Sequence, residues 1–435
     1  MLRAIALMAV LVPGSLAGRW NVVFDMPHDS YEMPVEFVVA PNGKVTATVL
    51  GPLGTFRIMN TEARLDGNKL TIDAETSYGK LKVDATLEGD RLHGKWFPDG
   101  VVERLFFNGE VRGLRNRAYV SKPRLEVFDA AWSHLERDFY SGDFNGVDVR
   151  SLRRRYRAQV ATAHSDGEFL VLMRQMLGEF HTSHLDFFAT PSWSKELHPA
   201  AVKDTSVEDI TWKQLTSSVG YLRIESFEDG PEVVARVDRA FAELGKYPAL
   251  VVDLRGNGGG TLSAAMRLGD YLLPQMQAVG YFASRAGLTR FGARSIDQID
   301  KSKLPVFSGY DSEEFTREMT NKGVLLLKTG GRAKSPYRGR VVVLIDEYCF
   351  SASEALASVV KETGAATLIG RRTTGAMLSA TPVALEGDWT LMLPVWDFRT
   401  AKGVRVEGQG VEPQIGVRYR DDKDADIEAA LAFLK

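Results

Sequence analysis

Residues 341–362 read VVVLIDEYCFSASEALASVVKE. No other stretch constrains the fold as tightly. An unbroken apolar run that stops at Asp346-Glu347 predicts a strand buried on both faces, which occurs in parallel sheets covered by helices. The Ala, Leu and Val residues that follow at helical spacing predict a helix opening on Ser351-Ala352-Ser353-Glu354. A serine at that junction sits where unpaired N–H groups and the helix macrodipole favour negative charge. Acyl transfer needs a nucleophile beside an oxyanion site of that kind. The same residues also make an ordinary capping box, with Ser351 as N-cap and Glu354 three positions on. The segment alone leaves both readings open.

A second strand–turn–helix unit lies at residues 249–272, ALVVDLRGNGGGTLSAAMRLGDYL. Its glycines, among them Gly256, Gly258, Gly259 and Gly260, let backbone approach a ligand closely. There is no GxGxxG and no Gly-Lys-Ser/Thr, so a phosphate cradle is disfavoured. An oxyanion hole of backbone N–H groups is the other use of such a turn. Residues 176–188, MLGEFHTSHLDFF, place His181 and His184, two of only seven histidines, after a predicted helix. A serine nucleophile needs a base, and histidine is the usual one. HxxH is also half of a metal site, but no third ligand stands at convincing spacing, so no metal and no cofactor are expected. Residues 404–417, VRVEGQGVEPQIGV, put Glu407 before a Gly-x-Gly turn. That carboxylate either orients a base or is a solvated turn residue.

The rest of the chain frames these segments. Its 435 residues are 44% hydrophobic and 25% charged, with net charge −2. That is ordinary globular composition on a length that suggests two to three domains, with no basic footprint for nucleic acid. The single Cys349 excludes an internal disulfide. Residues 1–18 combine Arg3, the apolar Ala4–Val12 and Ser15-Leu16-Ala17, an export signal with the mature chain starting near Gly18. A periplasmic or secreted protein, with envelope association left open and no membrane-spanning segment after processing, is expected. Residues 19–112 alternate apolar and polar, with hairpin turns at Asn42-Gly43, Asp66-Gly67-Asn68 and Glu88-Gly89-Asp90. They predict an antiparallel β domain, a small barrel or sandwich, in which His28 and His93 are surface or packing residues. Residues 113–200 read as a helical subdomain and 201–435 as alternating α/β. Residues 280–340 look irregular, a lid or partner surface.

Five segments follow one another in order: GYLRIESF (220–227), ALVVDLRGNGGG (249–260), VVVLIDEYCFSASEALASVVKETG (341–364), ATLIGRRTTG (366–375) and VEGQGVEPQI (406–415). Together they resemble the tail-specific, or C-terminal processing, serine proteases, a family that includes the tricorn core protease and the interphotoreceptor retinoid-binding protein modules. The resemblance covers about residues 122–420, roughly two thirds of the chain. It implies a ClpP/crotonase-like α/β core preceded by a helical subdomain, with the family nucleophile at Ser351. One branch uses a lysine in a Gly-Lys-Gly turn at what is position 376 here, but Ala376 stands there. The tricorn-like branch uses a Thr-Ser-His segment, matched by Thr182-Ser183-His184. It implies His184 as base, with Ser183 and Glu407 completing a tetrad, and Ala352 with Gly258 or Gly259 as oxyanion donors. The implied partner is a peptide or protein substrate, and an oligomer stays open. Two features depart from the family: Pro413-Gln414 replaces the frequent Pro-Asp, and only about 30 residues separate Thr-Ser-His from GYLRIESF, too few for a PDZ domain. A non-catalytic binding protein on this fold would need none of the four polar residues. A crotonase-type acyl-CoA enzyme would need no serine nucleophile with a distant histidine.

Overall fold

The computed structural model describes residues 16–25, 30–52, 58–76, 79–100, 109–190, 209–420 and 422–435. Residues 1–15 of the expected leader and His28 lie outside the described residues. Eight antiparallel strands, from Gly18–Asp25 to Gly109–Arg115, close into a barrel, the first pairing with the last. The hairpins turn at the expected glycines, with Gly67 and Gly89 at positive φ (60° and 62°). The apolar residues of each alternating strand, among them Trp20, Val35, Phe37, Leu70, Val83 and Val111, fill the interior. His93 lies on the barrel's exposed surface.

The barrel is tied to the helices that follow. Glu36 accepts the Asp166 N–H at 3.1 Å and the Gly167 N–H at 2.6 Å, capping the helix Asp166–Gly178. Arg19 pairs with the buried Asp166 at 3.1 Å. Leu50, from the loop after the third strand, is fully buried among Phe128, Trp132 and Phe169 of the helical subdomain. Helices Arg124–Asp138, Val149–Val160 and Asp166–Gly178 share that core with Trp389, Leu391 and Leu393.

Two six-stranded sheets build the rest. In the first, the antiparallel edge strand Ile210–Thr216 leads into five parallel strands, with Ala249–Asp253 beside Arg340–Ile345 at the centre. The all-buried central strands match the unbroken apolar runs of the sequence. One face packs against the C-terminal helix Ala425–Leu434 through Ala430 and Leu434. The other shares a large apolar core with helices Leu262–Leu272 and Ala352–Thr363 and with the second sheet.

The second sheet corrects one expectation. Residues 280–340 are not irregular: they supply helix Ser312–Lys322 and strands Val306–Phe307 and Val324–Thr329, and most of the strand Gln277–Ser284. Their elements are two to eleven residues long and separated by charged turns, so no periodic window is long enough to show. The sheet's backbone is the long strand Trp389–Thr400. Its first half pairs with Asp186–Ala189, and its second half pairs with Gln277–Ser284.

Candidate active site

The strand Arg340–Ile345 ends, the chain turns, and Ser351 stands immediately before helix Ala352–Thr363. Its φ of 53° and ψ of −117° are rare for a side chain with a Cβ. Such strain costs on the order of 1–3 kcal/mol and persists only where surrounding structure enforces it. Four contacts do so here. The Ser351 N–H donates to Ala376 O at 2.9 Å and to Glu354 Oε2 at 3.2 Å. The latter is the return arm of the anticipated capping box. The Ser351 carbonyl accepts from Glu354 and Ala355 N–H at 2.9 and 3.1 Å.

The glycine turn lies against this elbow. A Cβ on Gly259, which has φ of 85°, would stand 2.7 Å from Phe350 O and 2.8 Å from Ser351 Cβ. Only glycine allows that approach. Asn257, fully buried, fastens the two turns together. Its Oδ1 accepts from Gly259 N–H at 2.8 Å and from Ser353 Oγ at 2.7 Å, and its carbonyl accepts from Phe350 N–H at 3.2 Å. Its Nδ2 donates to Ile224 O on the neighbouring strand at 3.0 Å. The Gly259 N–H is therefore already used inside the protein. Gly258 and Ala352 keep N–H groups with no internal acceptor among the described residues. Sequence reasoning overlooked Asn257; an Asn between two glycines of a turn was the available signal.

The Thr-Ser-His segment is set by strand Asp186–Ala189, which begins two residues after His184 and is held by Trp389–Thr400. Arg174 fixes it further, donating to Asp186 Oδ1 at 3.0 Å and Phe187 O at 3.1 Å. Ser183 Oγ lies 2.8 Å from His184 Nδ1 and 2.8 Å from Glu407 Oε2. Glu407 Oε1 accepts the Ser183 N–H at 2.8 Å. Glu407 is buried rather than a solvated turn residue. An ionised carboxylate only accepts, so the Ser183 hydroxyl hydrogen goes to Glu407. Ser183 Oγ then accepts from His184 Nδ1–H, which leaves the Nε2 lone pair free. Burial pushes the His184 pKa below its ordinary value, while the Glu407 charge acts the other way. Burial prevails, which leaves a largely neutral imidazole near pH 7. His181 is exposed and outside this relay.

One peptide unit joins the two halves. The Ala376 carbonyl accepts the Ser351 N–H, and the N–H of the same amide, on Met377, donates to Glu407 Oε2 at 2.8 Å. Glu354, fully buried, secures the approach to that unit by accepting Thr373 Oγ1, Gly375 N–H and Ala376 N–H at 2.5, 2.7 and 2.8 Å. Ser351 and Ala352 open onto a cavity of about 370 Å³ between helices Leu262–Leu272 and Ala352–Thr363 and the second sheet.

An α/β core with a serine elbow against a glycine turn defines a serine-hydrolase type of framework. The chain matches the model of peptidase family S41 over residues 218–417 and that of the tricorn protease C1 domain over 121–178. The chain therefore carries a peptidase S41 domain and a tricorn C1 domain. It is 26% identical over 199 residues to the chloroplastic C-terminal processing peptidase of Tetradesmus obliquus, covering 45% of this chain and 34% of that one. It is 25% identical over 231 residues to the tricorn protease of Thermoplasma acidophilum, covering 50% and 17%. The chain thus spans about a third or less of the length of these curated relatives. Among solved structures, a putative peptidase from Parabacteroides merdae shares the fold with a TM-score of 0.53 at 18% identity, over 72% of this chain and 97% of that one.

Proposed function

We propose that this protein is a serine peptidase that hydrolyses peptide bonds through Ser351, His184, Ser183 and Glu407. The observation that carries the reading is the hydrogen-bonded line from Glu407 through Ser183 to His184, tied to the Ser351 elbow by the Ala376–Met377 peptide. Ser351 Oγ attacks the substrate carbonyl carbon while His184 Nε2 takes its proton. The developing oxyanion accepts from the N–H groups of Gly258 and Ala352, at the positive end of helix Ala352–Thr363. His184 returns the proton to the leaving amine as the carbon–nitrogen bond breaks, leaving an acyl-Ser351 ester. Water, deprotonated by His184, then hydrolyses the ester and frees Ser351. Ser183 and Glu407 hold the imidazole in the tautomer that leaves Nε2 free. The expected choice between Gly258 and Gly259 falls on Gly258, because Asn257 occupies the Gly259 N–H.

Arg3, the apolar Ala4–Val12 and Ser15-Leu16-Ala17 support reading residues 1–18 as an export signal, and with it a periplasmic or secreted peptidase. Among the described residues, no helix is long and apolar enough to cross a membrane.

A fluorophosphonate probe tests the reading. Wild type and His181→Ala label; Ser351→Ala and His184→Ala do not. Equal labelling of wild type and Ser351→Ala overturns the nucleophile, and equal losses in the two histidine variants overturn the choice of base. A folded wild type that never labels points to the binding-protein alternative.

A further inference from the structure

Resting on the peptidase reading above, we infer that the cavity beside Ser351 is the pocket for the residue whose carbonyl is attacked, and that it selects a large apolar or aromatic side chain there. Ser351 and Ala352 both line the cavity mouth. A carbonyl held by the Ala352 N–H and facing Ser351 Oγ therefore delivers the side chain on its acyl side into this space. Ala352, Ala355, Leu356 and Val359 also line it. These are positions i, i+3, i+4 and i+7 of one helix, so the cavity follows that helix for about 10 Å at 1.5 Å per residue. That depth accommodates an extended phenylalanine or leucine side chain.

Volume and chemistry agree. The cavity holds about 370 Å³. An engineered apolar cavity of ~150 Å³ already binds benzene. Its inner walls are Phe282, Phe315 and Trp396, with Met266 and Met377 as adaptable neighbours. Among the described residues, no charged side chain lines it. The polar side chains in its lining are neutral hydroxyls, and three of them are engaged elsewhere: Thr329 Oγ1 donates to Met266 O at 2.7 Å, Thr261 Oγ1 donates to Phe227 O at 2.9 Å, and Ser312 Oγ accepts the Leu262 N–H at 3.0 Å. The buried Asp270, 3.3 Å behind the Thr329 hydroxyl, is not itself a lining residue; its carboxylate is taken up by Gly330 N–H and Arg332, at 2.9 and 3.0 Å. A lysine, arginine or aspartate side chain would lose its hydration here and meet neutral hydroxyls, with no lining residue of opposite charge to compensate. A glycine or alanine would leave most of the cavity unfilled.

The test is a set of fluorogenic peptides identical except at the residue preceding the cleaved bond, with Phe, Leu, Ala, Gly, Asp or Lys there. On wild type, kcat/KM for Phe or Leu is expected to exceed that for Ala by at least about tenfold, within the ~10–200-fold range that apolar pockets supply. Asp and Lys are expected to fall below Ala. Equal rates across the set, or a preference for Gly, Asp or Lys, overturn the inference. In Ala265→Phe, which projects a ring into the same space, the Phe-to-Ala ratio of kcat/KM is expected to fall at least about tenfold. An unchanged ratio in a variant that melts as wild type also overturns it. Fluorophosphonate labelling in parallel separates the two levels: Ser351-dependent labelling with indifference to the varied residue defeats the pocket and leaves the peptidase reading standing, whereas no labelling and no cleavage defeats both.

Discussion

Glu354→Gln asks how much of the site rests on a residue that touches no substrate. Glu354 is fully buried, and its two oxygens accept four hydrogen bonds. Oε1 takes Thr373 Oγ1 and Gly375 N–H; Oε2 takes Ala376 N–H and Ser351 N–H. Glutamine is nearly the same size but replaces one acceptor with a donor. With its NH₂ on the Oε2 side it faces two backbone N–H groups; on the Oε1 side it faces the Gly375 N–H and displaces the Thr373 hydroxyl hydrogen. Either way one or two buried donors lose their acceptor, at about 1–3 kcal/mol each. Removing a buried charge offsets part of this, since burial already raises the Glu354 pKa. The expected net loss is roughly 2–3 kcal/mol in urea unfolding at pH 7.5. The activity should fall further than the stability suggests, because Ser351 and Ala376 are the groups released. Fluorophosphonate labelling of the folded variant is expected to slow at least about tenfold, equivalent to about 1.4 kcal/mol. A variant within about 0.5 kcal/mol of wild type and labelling at the wild-type rate would refute the claim that Glu354 holds the elbow in place.

Two further outcomes follow from the same geometry. Because burial lowers the His184 pKa, the base stays unprotonated below the ordinary histidine value of about 6.5, so the acid limb of kcat/KM should lie below that pH. The Glu407 charge raises the His184 pKa, so Glu407→Gln should move the limb to still lower pH while reducing kcat; a pH–rate profile with a limb shifted upward would contradict the assignment. Gly259→Ala should abolish labelling or soluble expression, since its Cβ would meet Phe350 O and Ser351 Cβ at 2.7 and 2.8 Å on a backbone with φ of 85°; a folded, fully labelling variant would show that the glycine turn does not lie against the elbow.

The central strands, the helices on them and the hairpins of the barrel were legible because each is a long periodic segment or carries a turn residue with a fixed conformational task. VVVLI at 341–345 is fully buried from Val341 onward, and Gly67 and Gly89 adopt the positive φ their hairpins require. Residues 280–340 were not legible, since the apolar VLLL of Val324–Thr329 becomes a strand only beside Gln277–Ser284. At the site, Ser351, Thr182-Ser183-His184 and Glu407 were visible as motifs. The contact between Ser183 and Glu407, 224 positions apart, was not visible in any local pattern. Nor were the roles of Asn257 and Glu354. Local rules describe Glu354 as half of a capping box, and its Ser351 N–H bond is that box. Its other three bonds come from residues 373–376, which reach it only through the strand order of the first sheet.

Those bonds bear on why a chain with Ala376 retains the segment around it. A lysine base at that position would need a side chain aimed at the serine. Here the backbone of the same position is what matters: the Ala376 carbonyl holds the Ser351 N–H, and the adjoining Met377 N–H holds Glu407. The two groups belong to one rigid planar amide and point in opposite directions. A displacement of this amide is therefore shared by the serine elbow and by the carboxylate that orients His184 through Ser183. The preceding amide, between Gly375 and Ala376, is in turn held by Glu354 through the Ala376 N–H and by the Gly408 N–H to Gly375 O bond of 2.7 Å. Gly408 directly follows Glu407, so the turn that carries the carboxylate also grips the segment that bonds to it. The proposed nucleophile and relay thus come from parts of the chain far apart in sequence, yet they share a single backbone strut. Loss of Glu354 is expected to disturb both together, whereas loss of Ser183 should disturb the imidazole alone and leave the backbone conformation of Ser351 intact.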